Sequence, residues 1–327
     1  MPIKSPKISL LAPTYNHEQF VGFFIESVLT QIEQDFELII VDDYSQDNTI
    51  KEVEKFNDKR IKLIKHPYNQ GINSGLNTAF KVAQGEFCVF IGTDDFLDKK
   101  HLKFTSKLLE KNPELAVLYC GMQEIDEHNQ PTRQKYIRKN RSKYKILYDS
   151  FMLHNVLFSP GMVIRKKALE TIMPLNQALF QFQDYSIHVE LLLNFNCYLI
   201  EDILVSYRYR QDGQNACARN SATVTREQLE QTFLMDKFLK IKDLELLKSV
   251  FGEQLKKFGE PTIETIPYFL GRLALTSNDY SKKAWGYQTI LKFIQDGKLD
   301  LLNKLYGLQF KDVLRLAESF DQPIKDN

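Results

Sequence analysis

Five short stretches are apolar almost without interruption: KISLLAP (7–13), FELIIVDD (36–43), IKLIKHP (61–67), EFCVFIG (86–92) and LAVLYCG (115–121). Strands covered on both faces read this way, so these are expected to be the parallel strands of a buried sheet. Between them the apolar positions recur at helical spacing. Residues 17–32 place Phe20, Phe24, Val28 and Ile32 on one stripe, and 72–84 and 98–111 repeat the pattern more loosely. Strand and helix alternate, which predicts an α/β fold with a mostly parallel sheet flanked by helices and right-handed crossovers. The loops after the strands then all open on one rim.

The alternation stops at EHNQPTRQKYIRKNRSK (127–143), a polar and strongly basic run. A mobile surface loop is the first expectation for it, and a binding lid the alternative. Order returns with FSPGMVIRKKAL (158–169), a strand leading into a helix, then a helix over 184–195 and a strand over 197–210. From about 223 onward the pattern is helical only, with amphipathic segments at 226–241, 242–257, 261–276, 279–296 and 309–319. The expected organisation is an α/β domain over 1–222, in halves of about 1–126 and 144–222, and an α-helical C-terminal subdomain over 223–327.

A chain of 327 residues with 43% hydrophobic composition can bury a sizeable core. Its 43 basic and 42 acidic residues leave a net charge of +1, which favours neither nucleic acid nor an anionic membrane. The opening MPIKSPKISLLAP lacks the apolar core and small-residue cleavage pattern of a signal peptide, and no apolar run is long enough to span a bilayer. A cytoplasmic protein is expected. Cys88, Cys120, Cys197 and Cys217 form no CxxC pair, so they read as structural thiols rather than a zinc site.

The residues that follow the strands carry the candidate chemistry. Thr14-Tyr15-Asn16, Asp42-Asp43-Tyr44-Ser45 and Thr93-Asp94-Asp95 are three polar clusters expected on one rim, where ligands of open α/β sheets bind. Asp94 and Asp95 are adjacent like charges at the end of an apolar run, which calls for a compensating cation or a set of donors. The alternative is that they cap the helix expected just after them.

In order and spacing, PTYN (13–16), LIIVDDYSQDNT (38–49), NQGINSGLNTAFKVAQGEF (69–87), GTDD (92–95), GMVIRKKAL (161–169) and FQDYSIHVELL (182–192) resemble family 2 glycosyltransferases. The resemblance covers roughly residues 7–210. It implies the GT-A fold, a Rossmann-like sheet that binds nucleotide-diphosphate sugars, and inverting transfer of a sugar assisted by Mn²⁺ or Mg²⁺. By the same resemblance Asp43 reads the nucleobase and Tyr15 stacks on it, with core packing the alternative for Tyr15. Pro13, Asn16 and Asn73 join the nucleotide-sugar contacts. Asp94 contacts the ribose, Asp95 holds the metal, and Asp184 is the base that deprotonates the acceptor, with a plain helix cap as its alternative.

This sequence departs from the family pattern at three places. Gly92 replaces the first Asp of the usual Asp-x-Asp-Asp, Gln183 replaces the Glu before Asp184, and Gln211 stands where a metal- or phosphate-binding His is expected. Arg208 or Arg210 could clamp the diphosphate in its place, though strand alternation would equally leave them in solvent. His17, His66, His101, His154 and His188 have no ligand-like spacing and are assigned no role. The resemblance further implies a nucleotide sugar donor, UDP-linked by default, and a glycan or lipid-linked saccharide acceptor of a bacterial surface polymer. For the C-terminal helices two roles stand open: peripheral approach to an anionic lipid at the inner face of the membrane, or a homodimer interface. Two rival functions are a phosphatase using Asp42, for which DDYSQ lacks the required Asp-x-Asp-x-Thr pattern, and a nucleotide-sugar-binding scaffold without turnover.

Overall fold

The computed structural model describes residues 5–210 and 220–320. The chain opens as β1 (Ile8–Thr14), α1 (Val21–Leu29), β2 (Phe36–Asp42), α2 (Thr49–Glu54), β3 (Ile61–Lys65), α3 (Ile72–Val82) and β4 (Phe87–Phe90). It continues with β5 (Phe96–Leu97), α4 (His101–Lys111), β6 (Leu115–Ile125), β7 (Pro131–Tyr136), α5 (Lys143–Met152), β8 (Met162–Arg165), α6 (Lys166–Glu170), α7 (Gln183–Asn194) and β9 (Asn196–Arg208). The helices α8 (Ser221–Met235), α9 (Leu244–Leu255), α10 (Ile266–Ala274), α11 (Tyr280–Phe293), α12 (Leu299–Tyr306) and α13 (Phe310–Arg315) complete it.

One sheet runs β3-β2-β1-β4-β8-β6-β9-β5, with β7 paired to β6. β3, β2, β1 and β4 are mutually parallel, while β8 is antiparallel to both β4 and β6. The burial explains the order. β2 is buried at every position and β1 at all but Pro13, as central strands covered on both faces must be, whereas the lysine-bearing β3 is half-buried at the edge. Leu10, Ala12, Leu38, Ile40, Val89, Phe24 and Val28 meet in the core between sheet and α1.

Several boundaries differ from expectation. α1 stops at Leu29, and Ile32 is 46% exposed beyond it, its N–H donating to the Lys99 carbonyl. The basic run 127–143, expected to be a mobile loop, contains β7, whose register with β6 pairs Met122 with Tyr136 and Ile125 with Pro131. Its charged side chains face solvent while its backbone completes a ladder. α5 and α12 were not anticipated; the first follows the basic run directly, and the second sits past Gly297, where a φ of 78° breaks the pattern.

The described residues group into two compact units, one within Met1–Lys143 and Leu157–Thr223, the other within Tyr144–Val156 and Val224–Asn327. The stretch 144–156, expected in the α/β part, therefore groups with the helices. Phe151 explains it: fully buried, its ring packs edge-on against Phe238 and Phe251 at 4.9 Å and Trp285 at 6.1 Å. Lys282, 1% exposed, donates to the carbonyls of Phe151 at 2.8 Å and Leu153 at 2.7 Å, and more weakly to Ser150, at the carboxyl end of α5. Burial pushes its pKa down to about 8, so the ammonium persists at neutral pH and satisfies carbonyls that a helix end leaves open. Lys282→Met is expected to leave these acceptors unpaired, at a cost of about 2–3 kcal/mol. Thermal unfolding of the helical unit checks this through a melting temperature lower by roughly 5–10 °C; an unchanged transition would mean water replaces the ammonium at no cost.

Candidate active site

The ends of β1, β2 and β4 are tied to one another by side chains. Thr93 Oγ1 donates to Thr14 Oγ1 at 2.6 Å and lies 2.8 Å from His17 Nδ1. Asn16, at a φ of 54°, donates its N–H to Ser45 Oγ, and its Oδ1 accepts the Gln46 N–H at 2.8 Å. The Asp43 N–H donates to the Thr14 carbonyl at 2.9 Å. The three polar clusters thus form one rim. Tyr15 projects from it 43% exposed, as a stacking surface requires and a core residue does not allow. Pro13 lies one residue inside β1, where α3 approaches so closely that a Cβ on Gly75 would stand 2.8 Å from Pro13 Cβ.

Asp43 is buried, and its carboxylate is already well used. Oδ1 accepts the Gln70 N–H at 2.8 Å and faces His66 Nδ1 at 2.8 Å, while Oδ2 accepts the Gly71 N–H at 2.8 Å. It fixes the start of α3 to the end of β2. Asp42 is 1% exposed, with Oδ2 accepting from Ser45 N and Oδ1 buried without a partner. One oxygen is committed to the Ser45 N–H and the other is buried, an arrangement that adds nothing to the phosphatase reading, whose motif the chain already lacks.

Asp94 and Asp95 do not cap a helix. α4 starts at His101 with Lys100 at its cap position, and the two-residue β5 stands between. Asp95 is 3% exposed, and burial first, then the neighbouring Asp94 charge, hold its carboxyl well above the usual carboxylate range. Arg208 supports the pair from within the chain. Its main-chain N–H donates to Asp95 Oδ1 at 2.9 Å and its Nε to the Asp94 main-chain carbonyl at 3.0 Å, and its two terminal nitrogens reach the Asp126 carbonyl and Asn129 Oδ1. The guanidinium lies between the rings of Phe20, at 4.4 Å, and Phe96, at 5.1 Å. Arg208 is 0% exposed, which corrects both expectations for it: it is neither in solvent nor offered to a diphosphate. A Cβ at Gly92 would come within 2.7 Å of Asp94 Oδ1, the tip of a side chain that can turn aside.

Asp184 stands in the first turn of α7, whose cap position is Phe182, and so it is not the cap residue. Its Oδ2 accepts the Ser159 hydroxyl at 2.9 Å and its Oδ1 the Tyr185 N–H. Ser159 precedes Gly161, whose N–H donates to the Phe90 carbonyl at the end of β4. Asp184 is thereby anchored at the same end of the sheet as Asp94 and Asp95. Asn73, expected among the donor contacts, is instead 3% exposed with its amide nitrogen donating to the carbonyls of Asn176 and Leu179. With Asn77, which exchanges two hydrogen bonds with Leu175, it pins the loop that leads into α7. Gln211 and Cys217 lie outside the described residues. A cavity of about 400 Å³ opens beside the rim against Asn16, Glu18, Asp47 and Arg210, but it includes none of Tyr15, Asp43 and Asp95.

Sequence reasoning missed Arg208 as the support of the Asp pair, and with it His66, His17 and Ser159. Only the strand register that brings β9 against β5 and β6 puts Arg208 beside Asp94, 114 residues away. No local signal marks it.

A sheet with a parallel heart, whose strand ends carry Tyr15, Asp43, Asp94 and Asp95 with Asp184 anchored at the same end, is an α/β architecture that binds its ligands on that rim. The sequence profile described as glycosyl transferase family 2 matches residues 9–173, and the chain belongs to that family: it is a glycosyltransferase. Over 203 residues it is 29% identical to UDP-Glc:alpha-D-GlcNAc-diphosphoundecaprenol beta-1,3-glucosyltransferase WfgD of Escherichia coli, covering 62% of this chain and 76% of that one. The fold is that of residues 1–349 of TarS from Staphylococcus aureus, solved in complex with UDP, with a TM-score of 0.62, 18% identity and 93% of each chain covered. It also resembles the mannosyltransferase PcManGT of Pyrobaculum calidifontis, solved with GDP-Man and Mn²⁺, with a TM-score of 0.54, 15% identity and coverage of 97% of this chain and 87% of that one. The fold is GT-A, as the sequence motifs implied.

Proposed function

We propose that this glycosyltransferase moves a sugar, with inversion, from a UDP-linked donor to a hydroxyl of a glycan or lipid-linked saccharide, with Asp184 as the general base. The observation that carries this reading is the anchoring of Asp184, through Ser159 and Gly161, at the end of β4 that leads to Asp94 and Asp95. A base and a leaving-group site must face each other across the sugar for a single in-line displacement, and two carboxylate groups fixed at one sheet end meet that need. The relative that acts on a UDP-sugar and a diphosphoundecaprenol-linked acceptor, and the neighbour solved with UDP, support the donor class.

In this reading Tyr15 supplies the stacking face for the base. Asp43 accepts three contacts within the chain, and an ionised carboxylate offers about four acceptor positions, which leaves one for the imide N–H of uracil. Pro13 and Asn16 shape the floor and edge of the nucleoside site, Asp94 takes the ribose, and Asn73 acts through the loop before α7. The oxygen chemistry of Asp95, together with the raised pKa of its buried carboxyl beside Asp94, fits a hard divalent cation. Bound there, Mn²⁺ or Mg²⁺ would neutralise charge on the departing diphosphate. Asp184 takes the proton of the acceptor hydroxyl as its oxygen attacks the anomeric carbon and the bond to the diphosphate breaks. No helix among the described residues is long and apolar enough to cross a membrane. The helical unit leaves Leu229 and Phe233 exposed one turn apart on α8, and Phe310 and Leu314 one turn apart on α13, apolar positions suited to meeting the acceptor's lipid carrier or a second copy of the chain.

The test is a thermal-shift series with UDP-glucose, UDP-GlcNAc and GDP-mannose, each with and without Mn²⁺. One base type is expected to raise the melting temperature, because a ligand that binds only the folded state stabilises it. Asp43→Asn, which turns one acceptor into a donor, is expected to weaken that ligand about tenfold or more. No stabilisation by any donor would overturn the reading, and binding without turnover would make the protein a nucleotide-sugar-binding scaffold.

A further inference from the structure

His188 was assigned no role on sequence, and the reading of Asp184 as the base leaves both it and Ser159 unexplained. His188 lies one turn along α7 from Asp184, 1% exposed, with Nε2 3.2 Å from Ser159 Oγ. Ser159 Oγ is in turn 2.9 Å from Asp184 Oδ2. A serine hydroxyl has one hydrogen. Donated to the carboxylate, it leaves the oxygen to accept from His188, which must then carry its proton on Nε2. Burial pushes the imidazole down to about 4, so the ring is neutral near pH 7 and has a single N–H to place. The edge of Tyr119, from β6, closes the other side of the ring at 5.1 Å and 87°.

We propose that Ser159 and His188 are positioning residues for the general base, forming a directed chain from His188 Nε2–H to Ser159 Oγ–H to Asp184 Oδ2. The chain holds one carboxylate oxygen still, so that the carboxylate presents a fixed face to the acceptor hydroxyl. It also polarises the serine O–H, because hydrogen bonds in series strengthen one another in a low-dielectric site. Among the described residues Asp184 and His188 on α7 and Tyr119 on β6 are titratable groups that face this chain of bonds, and Tyr119 is held neutral by burial. His188 is buried behind Ser159, out of reach of an acceptor. The effect of both side chains on the rate is through the orientation of Asp184, as outer partners act on the groups that do the chemistry.

The inference rests on Asp184 being the base, and the experiment separates the two. Turnover of UDP-glucose with Mn²⁺ is followed by UDP release in the wild type, Ser159→Ala and Ser159→Thr, alongside melting temperatures and UDP-glucose affinity. Ser159→Ala is expected to lower kcat about tenfold, the worth of one hydrogen bond to a charged acceptor, with KM and melting temperature unchanged, and Ser159→Thr to restore it. An unchanged kcat in Ser159→Ala, or a loss matched by a rise in KM and not rescued by threonine, overturns the proposal. Imidazole ¹⁵N spectra supply a readout independent of turnover. His188 is expected as the Nε2–H tautomer, with the shift of that nitrogen moved by Ser159→Ala; an Nδ1–H tautomer overturns the chain. A wild type that releases no UDP counts against the donor reading alone, and the spectra still decide the inference.

Discussion

Asp184→Asn is expected to bind the nucleotide sugar as the wild type does and to transfer sugar about a thousandfold more slowly. Asparagine keeps the size of the side chain and an oxygen for the Ser159 hydroxyl, so the start of α7 and its anchor on the loop before β8 persist. What it loses is the capacity to take a proton. General bases contribute on the order of a hundred- to ten-thousandfold, and the middle of that range is expected for a base working on an unactivated hydroxyl. The measurement is a single-turnover assay of UDP release beside donor affinity from the thermal-shift series. A rate within about tenfold of wild type, with binding intact, would sink the assignment of the base. Equal loss of binding and rate would instead place Asp184 in the donor site.

Arg208→Met is expected to be the most destabilising single change in the α/β unit. Arg208 is the largest fully buried side chain among the described residues, and its guanidinium serves the Asp94 carbonyl, the Asp126 carbonyl and Asn129 Oδ1 at once. It also supplies positive charge beside the Asp94–Asp95 pair, and it packs against Phe20 and Phe96. Methionine fills part of that space and satisfies none of the acceptors. Removing one partner of a buried charge network typically costs about 3–5 kcal/mol, which corresponds to a fall of roughly 10 °C in melting temperature for a unit of this size. Arg208→Lys keeps the charge, but a point ammonium cannot reach three acceptors arranged for a planar fork, so an intermediate loss is expected. A melting temperature for Arg208→Met within a degree or two of wild type would show that the turn carrying Asp94 and Asp95 stands without its guanidinium.

These two residues differ in how visible they are in sequence. Asp184 could be picked out because it sits in a motif, FQDYSIHVELL, whose spacing from GTDD is legible along the chain. Arg208 could not. Its role depends on a parallel register between β6 and β9 that pairs Ile125 with Arg208, and on β5 crossing to pair Phe96 with Ser206. The same contrast runs through Asn73. A polar residue in a motif reads as a ligand contact, but the fold brings a loop 103 residues away over α3, and the amide is spent on that loop's carbonyl. β7 was hidden for a related reason: its side chains are polar and its contribution is made by the backbone, which composition does not report.

The sequence by itself determined the alternation of buried strands and amphipathic helices, the parallel heart of the sheet, the family, and the placing of Tyr15, Asp43, Asp94 and Asp95 after strands. Apolar periodicity settles the elements and their order, and the motifs, read along the chain, carry the resemblance to the family. Only the tertiary structure decided that Asp43 also holds the Gln70–Gly71 turn, that Arg208 backs the Asp pair, and that Ser159 and His188 line up behind Asp184. Each of these depends on atoms within a few ångströms of one another that the chain separates, some by tens of residues, and their hydrogen bonds exist only after the sheet has set its register.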